Sequence, residues 1–257
     1  MRYNPQNLSL NKRPSFFDLP LKRKPQYPFI RSLYRQQREA FPQFSNVIGL
    51  SNFLCEVIEE TFETSATMIR ASIDFNSVTA DHHEPEYMTM VNPRSKVKGG
   101  DIFVDIAEQM PNRDFFVAGH FARNESRKKA AQLDNVHHPG WVDDMRDVYS
   151  KTKILLIPSL VEEGNPRVKA EAMANGIPVI GTTRGGVPEM LDDAGAIVSD
   201  PYEISEWEQQ ITAIEDDYSA LQVGANKNAR VYDINQNVPK FLEVIKNAAT
   251  NVPSTQA

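Results

Sequence analysis

The sequence predicts an α/β fold in which helices cover both faces of a parallel β-sheet. Beyond about residue 88, short apolar segments alternate with longer segments that have helical periodicity. The apolar segments, of which Ile154–Ile157 is the clearest, contain no alternating polar residues, as expected for strands buried on both faces. Because buried strands that alternate with helices are typical of parallel sheets, we expect one Rossmann-like domain here.

The first 44 residues form an arm that differs from the rest of the chain. Nine Lys or Arg residues and two acidic residues give this arm a charge of +7, so the remainder must carry -13 to reach the net charge of -6. Prolines interrupt helical periodicity in the arm, except around Phe29–Glu39. Its basic and aromatic side chains either pack on the rest of the chain or contact an acidic partner or a membrane surface.

Residues 45–80 add a short unit before the main domain. A strand, a helix and a second strand are predicted in the order Asn46–Leu50, Ser51–Thr61 and Thr67–Ile73. Ser51 is a suitable N-cap, because its hydroxyl can accept a hydrogen bond from an otherwise unpaired amide of the first turn. The polar segment Asp74–Tyr87 is predicted to be a linker.

Residues 81–250 contain the alternating elements of the predicted sheet domain. Its strands are predicted at Met88–Val91, Phe115–Ala118, around Val136, Ile154–Ile157, Pro178–Ile180 and Ala196–Val198. Its helices are predicted at Gly100–Met110, Asn124–Leu133, Asp143–Ser150, Pro166–Ala174, Pro188–Leu191 and Val238–Ala249. The last helix has one apolar stripe, formed by Val238, Phe241, Leu242 and Ile245. Residues 251–257 are a polar tail.

The composition argues against several classes of protein. The chain has 40% hydrophobic and 24% charged residues, which is typical of a globular protein, and no apolar run of eighteen residues that would span a membrane. It has no signal-peptide pattern at its start, and its single cysteine, Cys55, rules out an internal disulfide framework. No group of Cys and His residues has the spacing of a structural zinc site. We expect a cytoplasmic protein with no metal, no cofactor and no nucleic-acid partner.

The informative segment for chemistry follows the strand Ile154–Ile157. In open parallel sheets, ligands bind beyond the carboxyl ends of the strands. The next helix is predicted to begin with Asn165 as N-cap and Pro166 as first residue, and to end at Asn175-Gly176. Its free amide groups would face the carboxyl end of the strand and form an anion site.

Two carboxylates and a glycine pair surround this predicted anion site. Glu163 precedes the helix and Glu171 lies within it, so both can accept hydrogen bonds from vicinal hydroxyls of one ligand. Gly185-Gly186 follows the next strand, and glycines there let main-chain amides approach a phosphate closely. A ligand that combines phosphates and sugar hydroxyls is therefore expected.

These residues carry a family resemblance. Glu163, seven intervening residues and then Glu171-Ala-Met-Ala-Asn-Gly-Ile-Pro-Val-Ile180 resemble the paired-glutamate signature of family-four retaining glycosyltransferases (glycosyl transferases group 1), which have the GT-B fold. Further matching segments are Val91-Asn-Pro, Lys98-Gly-Gly100-Asp, Pro139-Gly-Trp-Val142 with Val148-Tyr149, and Gly185-Gly186-Val-Pro-Glu189. The resemblance runs from Met88 to about Asp200 and concerns mainly the nucleotide-sugar-binding domain. Asn165-Pro166 departs from the family pattern, which has an aromatic residue and a glycine at these positions.

The resemblance implies roles for individual residues. Glu163 would hold the transferred sugar, Glu171 the ribose hydroxyls, and Lys98, with Arg94, the diphosphate leaving group. The family's arginine precedes its lysine by five positions, whereas Arg94 precedes Lys98 by four, so Lys96 competes for that role. The remaining predicted contacts to the nucleotide sugar are Asn165, Arg167, Gly185, Gly186, Trp141 and Val142. Transfer would proceed with retention, without metal and without a protein nucleophile.

The resemblance also implies a second, acceptor-binding domain before this one. Only about 80 residues precede the donor domain, and residues 45–80 resemble the closing part of an acceptor domain, so we expect a truncated N-terminal portion. The predicted function is transfer of a hexosyl group from a nucleotide sugar to a sugar, lipid-linked or protein acceptor, aided by a partner subunit or a second copy. The rival interpretation is a non-catalytic module that binds a nucleotide sugar or only a partner. A dehydrogenase is disfavoured, since no Gly-x-Gly-x-x-Gly turn follows a predicted strand.

Overall fold

The computed structural model describes residues 27–81 and 84–250. The chain divides into two compact units, of which the larger is Ala71–Gln236 and the smaller contains the described parts of Met1–Arg70 and Asn237–Ala257. The first 26 residues of the predicted basic arm and the predicted polar tail lie outside the described residues.

The smaller unit begins with helices and two short strands. Its elements are α1 (Tyr27–Ala40), β1 (Ile48–Gly49), α2 (Asn52–Phe62) and β2 (Thr67–Met68). Strands β1 and β2 pair in parallel, and each contributes only two residues to the ladder. Both strands are therefore shorter than predicted. The predicted cap of α2 is confirmed, because the Ser51 hydroxyl accepts a hydrogen bond from the Leu54 amide at 3.1 Å.

The larger unit is built on a six-stranded parallel sheet, which confirms the predicted fold class. Its strands are β3 (Tyr87–Val91), β4 (Phe115–Ala118), β5 (Val136–Gly140), β6 (Thr152–Ile157), β7 (Val179–Thr182) and β8 (Gly195–Val198). Its helices are α3 (Gly100–Gln109), α4 (Asn124–Ala130), α5 (Met145–Tyr149), α6 (Arg167–Ala174), α7 (Ile204–Asp216) and α8 (Tyr218–Ala229), and α9 (Ile234–Thr250) leads out of this unit.

Alternate side chains of the strands enter two separate cores, one on each face of the sheet. Ile154 and Leu156 of β6 pack with residues of α3 and α7. Leu155 and Ile157, their neighbours along the same strand, pack with residues of α6 and α8. The all-apolar character of this strand follows from burial on both faces.

The strand order β5-β4-β3-β6-β7-β8 places a topological switch between β3 and β6. From β3 the chain continues through α3 to β4 on one side, and from β6 it continues through α6 to β7 on the other. The helices that follow β3 and β6 therefore pack on opposite faces of the sheet. In folds of this class, ligands bind in a crevice at the carboxyl ends of two such strands.

Two local predictions around this crevice are wrong. The helix after β6 begins at Arg167, and Pro166 rather than Asn165 stands at its N-cap, without a side-chain cap. Pro188–Leu191 forms turns and no helix, because Met190 takes a positive φ of 71° that interrupts helical geometry. The predicted stop at Asn175-Gly176 is confirmed, with Asn175 as C-cap and Gly176 at φ 68°.

The C-terminal part of the chain is more helical than predicted. Helices α7 and α8 fill a region in which no helix was predicted, and one face of α7 is buried through Trp207, Ile211 and Ile214. The apolar stripe of α9 forms as predicted, but its members are exposed: Val238, Phe241, Leu242 and Ile245. Among the described residues, no helix combines the length and the apolar character needed to cross a membrane.

Candidate functional site

The loops after β3 and β6 are in direct main-chain contact. The Leu160 amide donates to the Val97 carbonyl at 2.8 Å. Gly99 has a φ of 75°, and a Cβ placed on it would lie 2.0 Å from the Pro158 carbonyl oxygen. Only glycine fits this approach, which explains why a Lys-Gly pair stands at the turn into α3.

This contact brings Lys98 and Glu163 together. The Lys98 ammonium donates to Glu163 Oε1 at 2.6 Å, and the Ser159 hydroxyl donates to the same oxygen at 2.5 Å. The side chain of Glu163 is 12% exposed, whereas that of Lys98 is 40% exposed. Because Lys98 is partly solvated, its ammonium can turn to an anionic ligand while Ser159 keeps its bond to Glu163.

The glycine loop after β7 lies against Glu163 through its main chain. The Gly186 amide donates to the Glu163 carbonyl at 2.7 Å, and Gly185 forms a parallel bridge with Glu163. Gly185 has a φ of 57°, and its Cβ would lie 2.3 Å from the Glu163 carbonyl oxygen. The two predicted ligand loops are thus joined by backbone contacts that tolerate no side chain at this position.

A buried lysine fastens the far end of the same loop to α6. The Lys169 ammonium donates to the carbonyl oxygens of Gly186 at 2.8 Å, Val187 at 3.2 Å and Glu189 at 2.8 Å. Its side chain is fully buried. Burying a lysine is costly unless its donors are satisfied, and these three carbonyls meet that requirement.

Glu171 is buried in α6 and receives a hydrogen bond on each carboxylate oxygen. The Tyr149 hydroxyl donates to Oε2 at 2.6 Å, and Arg167 Nε donates to Oε1 at 2.6 Å. Burial, the nearby negative charge of Glu171 and the hydrogen bond to it raise the pKa of Tyr149 well above its ordinary value. Tyr149 is therefore a hydrogen-bond donor throughout the neutral range.

Trp141 and Val142 follow the carboxyl end of β5. Trp141 is 61% exposed, and its indole N–H donates to Asp143 Oδ1 at 2.9 Å. Val142 packs against the core cluster that contains Phe116 and Val148. Of the two residues, Trp141 is the one that offers a surface to a ligand.

The structure does not bring Arg94 into these contacts. Its side chain is exposed, and no described residue forms a side-chain hydrogen bond or an ion pair with it. Lys96 lies instead beside a shallow depression that Asp101, Phe121 and Arg123 also line. Among the three candidate cations after β3, Lys98 is the one that contacts Glu163.

Three residues of the site were not assigned these contacts from the sequence: Ser159, Tyr149 and Lys169. Ser159 has a readable signal, since it is a polar residue two positions after a buried strand. Tyr149 belongs to a segment that matches the family pattern, and its hydroxyl donates to Glu171 from within the core. Lys169 gives no signal, because lysines in helices are mostly exposed.

The assembled site combines two carboxylates, a partly solvated ammonium and a glycine loop. Carboxylates can bind vicinal hydroxyls, and an ammonium beside main-chain amides can bind phosphate. In the part of the chain that the structure describes, no three His, Cys, Asp or Glu side chains are grouped so as to hold a metal ion.

The family model "Glycosyl transferases group 1" matches residues 87–217, which are just over half of the chain. The chain belongs to this family. Spore coat protein SA of Bacillus subtilis (strain 168) is similar to this chain, with 31% identity over 136 residues. The match covers 46% of this chain and 36% of that protein, so the chain spans about a third of the length of this relative.

Solved glycosyltransferase structures are similar to this group 1 chain in fold. The glycosyltransferase from Rickettsia africae ESF-5 matches with a TM-score of 0.73 and 18% identity, over 86% of this chain and 68% of that one. HepE from Anabaena, in complex with UDP and glucose, matches with 0.72 and 19%, over 84% and 67%. The pneumococcal O-GlcNAc transferase GtfA, in complex with UDP and GlcNAc, matches with 0.70 and 17%, over 86% and 48%. These likenesses show the Rossmann-like fold of GT-B glycosyltransferases.

Proposed function

We propose that the chain binds a nucleoside diphosphate sugar and transfers its hexosyl group to an acceptor. The observation that carries this proposal is the convergence of Lys98, Glu163 and the Gly185-Gly186 loop at the switch between β3 and β6. Family membership supports it, as do the UDP complexes of HepE and GtfA, which have the same fold.

Each group of the site has a proposed task. Lys98 turns from Glu163 to the diphosphate, where its charge stabilises the negative charge that develops as the sugar–phosphate bond breaks. Glu163, still held by Ser159, accepts hydrogen bonds from hydroxyls of the transferred sugar. Glu171 accepts those of the ribose, and Trp141 contacts the base. No metal is needed, because Lys98 and the main-chain amides of the glycine loop supply the positive potential.

Retention follows in this proposal without a protein nucleophile. The acceptor oxygen attacks the anomeric carbon from the face that the diphosphate leaves, and the departing diphosphate takes the acceptor proton. The acceptor is a sugar, a lipid-linked sugar or a protein, and a partner subunit or a second copy contributes to its binding. We also propose a cytoplasmic location, with the basic arm of residues 1–44 as a contact to an anionic partner or membrane surface.

Calorimetric titration with a panel of nucleoside diphosphates and nucleotide sugars, without metal, tests the donor site. Lys98→Ala and Glu171→Ala should each weaken binding of the preferred ligand by about tenfold to a hundredfold, the usual effect of losing a hydrogen bond to a charged group. Lys128→Ala in α4 and Glu208→Ala in α7 remove the same charges from exposed positions and should leave affinity unchanged. A folded wild-type chain that binds no member of the panel would contradict the proposal.

The second candidate is a non-catalytic module that binds the nucleotide sugar without transferring it. It is favoured by Pro166, which stands at the N-cap of α6 and has no amide to offer a ligand there. Release of the sugar to water or to any of a panel of acceptors, measured as free nucleoside diphosphate, supports the enzyme. Tight donor binding without release under any of these conditions supports the module.

A further inference from the structure

Tyr149 and Glu171 form a buried hydrogen-bonded pair that joins α5 to α6. The Tyr149 ring is fully buried in the core beneath the sheet, among residues that include Leu155, Met173 and Val179. Its hydroxyl donates to Glu171 Oε2 at 2.6 Å. A ring that is packed on all sides has one position, so its hydroxyl is a fixed donor.

The other oxygen of Glu171 has a different kind of partner. Arg167 donates to Oε1 from a side chain that is 66% exposed, whereas the Glu171 side chain is 9% exposed. An exposed ion pair contributes little free energy, so Arg167 can turn into solvent at small cost. The carboxylate therefore has one oxygen held from inside and one that a ligand can take from the solvent side.

We propose that Tyr149 is a positioning residue that fixes the Glu171 carboxylate in the orientation that accepts the ribose hydroxyls of the donor. This inference rests on the proposed function, in which Glu171 binds the ribose. A glutamate side chain has several rotatable bonds, and ordering them on binding costs free energy. The Tyr149 hydroxyl orders the carboxylate beforehand, so ribose binding does not bear that cost.

The minimal test is Tyr149→Phe, which removes one oxygen and keeps the packed ring. Calorimetry would compare two ligands on each protein: the nucleoside diphosphate that the wild type binds most tightly, and its 2′,3′-dideoxy analogue. We expect the wild type to prefer the ribose form by about tenfold, the usual size of a charged hydrogen-bond effect. The Tyr149→Phe variant should bind both forms with equal affinity, close to that of the wild type for the dideoxy form.

Tyr218→Phe is the matched control. The Tyr218 hydroxyl also donates a partly buried hydrogen bond, to the Lys153 carbonyl at 3.0 Å, but Lys153 lies at the amino end of β6, away from the crevice. Burial raises the pKa of Tyr218 to about 12, so this phenol is also neutral. Its variant should keep the wild-type preference for ribose, even where its thermal stability falls.

Three results would overturn the inference in distinguishable ways. A Tyr149→Phe variant that keeps the full ribose preference, or that weakens both ligands equally, would give Tyr149 a structural role alone. A wild type that binds the two ligands equally would remove the ribose contact of Glu171. A wild type that binds no nucleoside diphosphate would reject the proposed function together with this inference.

Discussion

Gly99 is the residue at which the two ligand loops come closest. Its main chain lies against Pro158 so tightly that a methyl group would overlap the Pro158 carbonyl, and its φ is positive as well. Gly140, after β5, also has a positive φ, 90°, but a Cβ there would meet only His120 Cε1, at 3.6 Å. A side chain at Gly140 would therefore meet backbone strain alone, whereas a side chain at Gly99 would meet backbone strain and steric overlap.

Replacing each glycine by alanine should give different losses of stability. Gly140→Ala adds only the cost of holding an alanine in the left-handed conformation, so it should lower the free energy of unfolding by about 1–2 kcal/mol. Gly99→Ala adds the overlap with Pro158 and should cost roughly 3 kcal/mol or more. Urea unfolding of both variants measures the difference. Equal losses would mean that the two loops can separate without cost.

At the scale of elements, α6 joins the chemistry of the site to its support. Within eight residues this helix carries Glu171 and the fully buried Lys169, whose ammonium bonds three carbonyls of the loop after β7. The same loop bridges to Glu163 through Gly185. Helix α6 therefore holds the loop on which Glu163 rests as well as presenting Glu171.

Lys169→Met keeps most of the length of the side chain and removes the three hydrogen bonds to the loop after β7. Because buried carbonyls that lose a partner cost about 1–3 kcal/mol each, we expect the free energy of unfolding to fall by roughly 3 kcal/mol or more. Lys128→Met on the exposed surface of α4 should change it by less than about 0.5 kcal/mol. Denaturant titrations compare the two. A loss at Lys169 as small as that at Lys128 would contradict the fastening role.

At the scale of the whole molecule, distant parts of the larger unit are joined by one carboxylate. Glu215 in α7 accepts hydrogen bonds from Arg113, just before β4, at 2.7 Å and from Lys153 in β6 at 2.7 Å. Burial raises the pKa of Glu215. The hydrogen bonds and charges of Lys153 and Arg113 together lower this pKa by more than burial raises it, so it lies below its ordinary value of 4.5. The network therefore makes stability depend on pH.

A carboxylate whose pKa is lowered by folding stabilises the protein above its unfolded pKa. This stabilisation is lost as the pH falls through the folded pKa. Glu215→Gln should therefore lower the free energy of unfolding by about 1–2 kcal/mol at neutral pH, with the difference shrinking below the ordinary value of 4.5. Glu208→Gln, at an exposed position of α7, is the control and should change the free energy of unfolding by less than about 0.5 kcal/mol. Unfolding curves measured between neutral pH and about pH 3 test this; a difference that stays constant would contradict it.

The strands of the sheet were predictable because burial on both faces leaves a plain signal. The predicted strand Phe115–Ala118 has the observed bounds. The predicted strand Ile154–Ile157 begins two residues earlier in the structure, at Thr152. Helix α8 has no such signal, since much of its buried surface consists of small residues such as Gly224 and Ala225. Gly224 even lies where a Cβ would overlap the Asp193 carbonyl.

The charged groups of the site were predictable only in part. The spacing of Glu163 and Glu171, and the Lys98-Gly turn, are local sequence patterns. The partner of Glu171, Tyr149, comes from a different element, α5. Ser159, in contrast, lies on the same loop as its partner Glu163. Lys169 is buried because a loop after the next strand covers it, which no local pattern reveals.

The two tryptophans of the chain occupy opposite environments. Trp207 of α7 is fully buried and donates its indole N–H to the Pro201 carbonyl at 3.1 Å. Trp141, after β5, is exposed to solvent. An enclosed indole emits at shorter wavelengths than a hydrated one. The fluorescence of the unlabelled protein is thus the sum of a core signal and a loop signal. Loosening of the packing around Trp207 and a ligand that covers Trp141 would therefore change different parts of one emission spectrum.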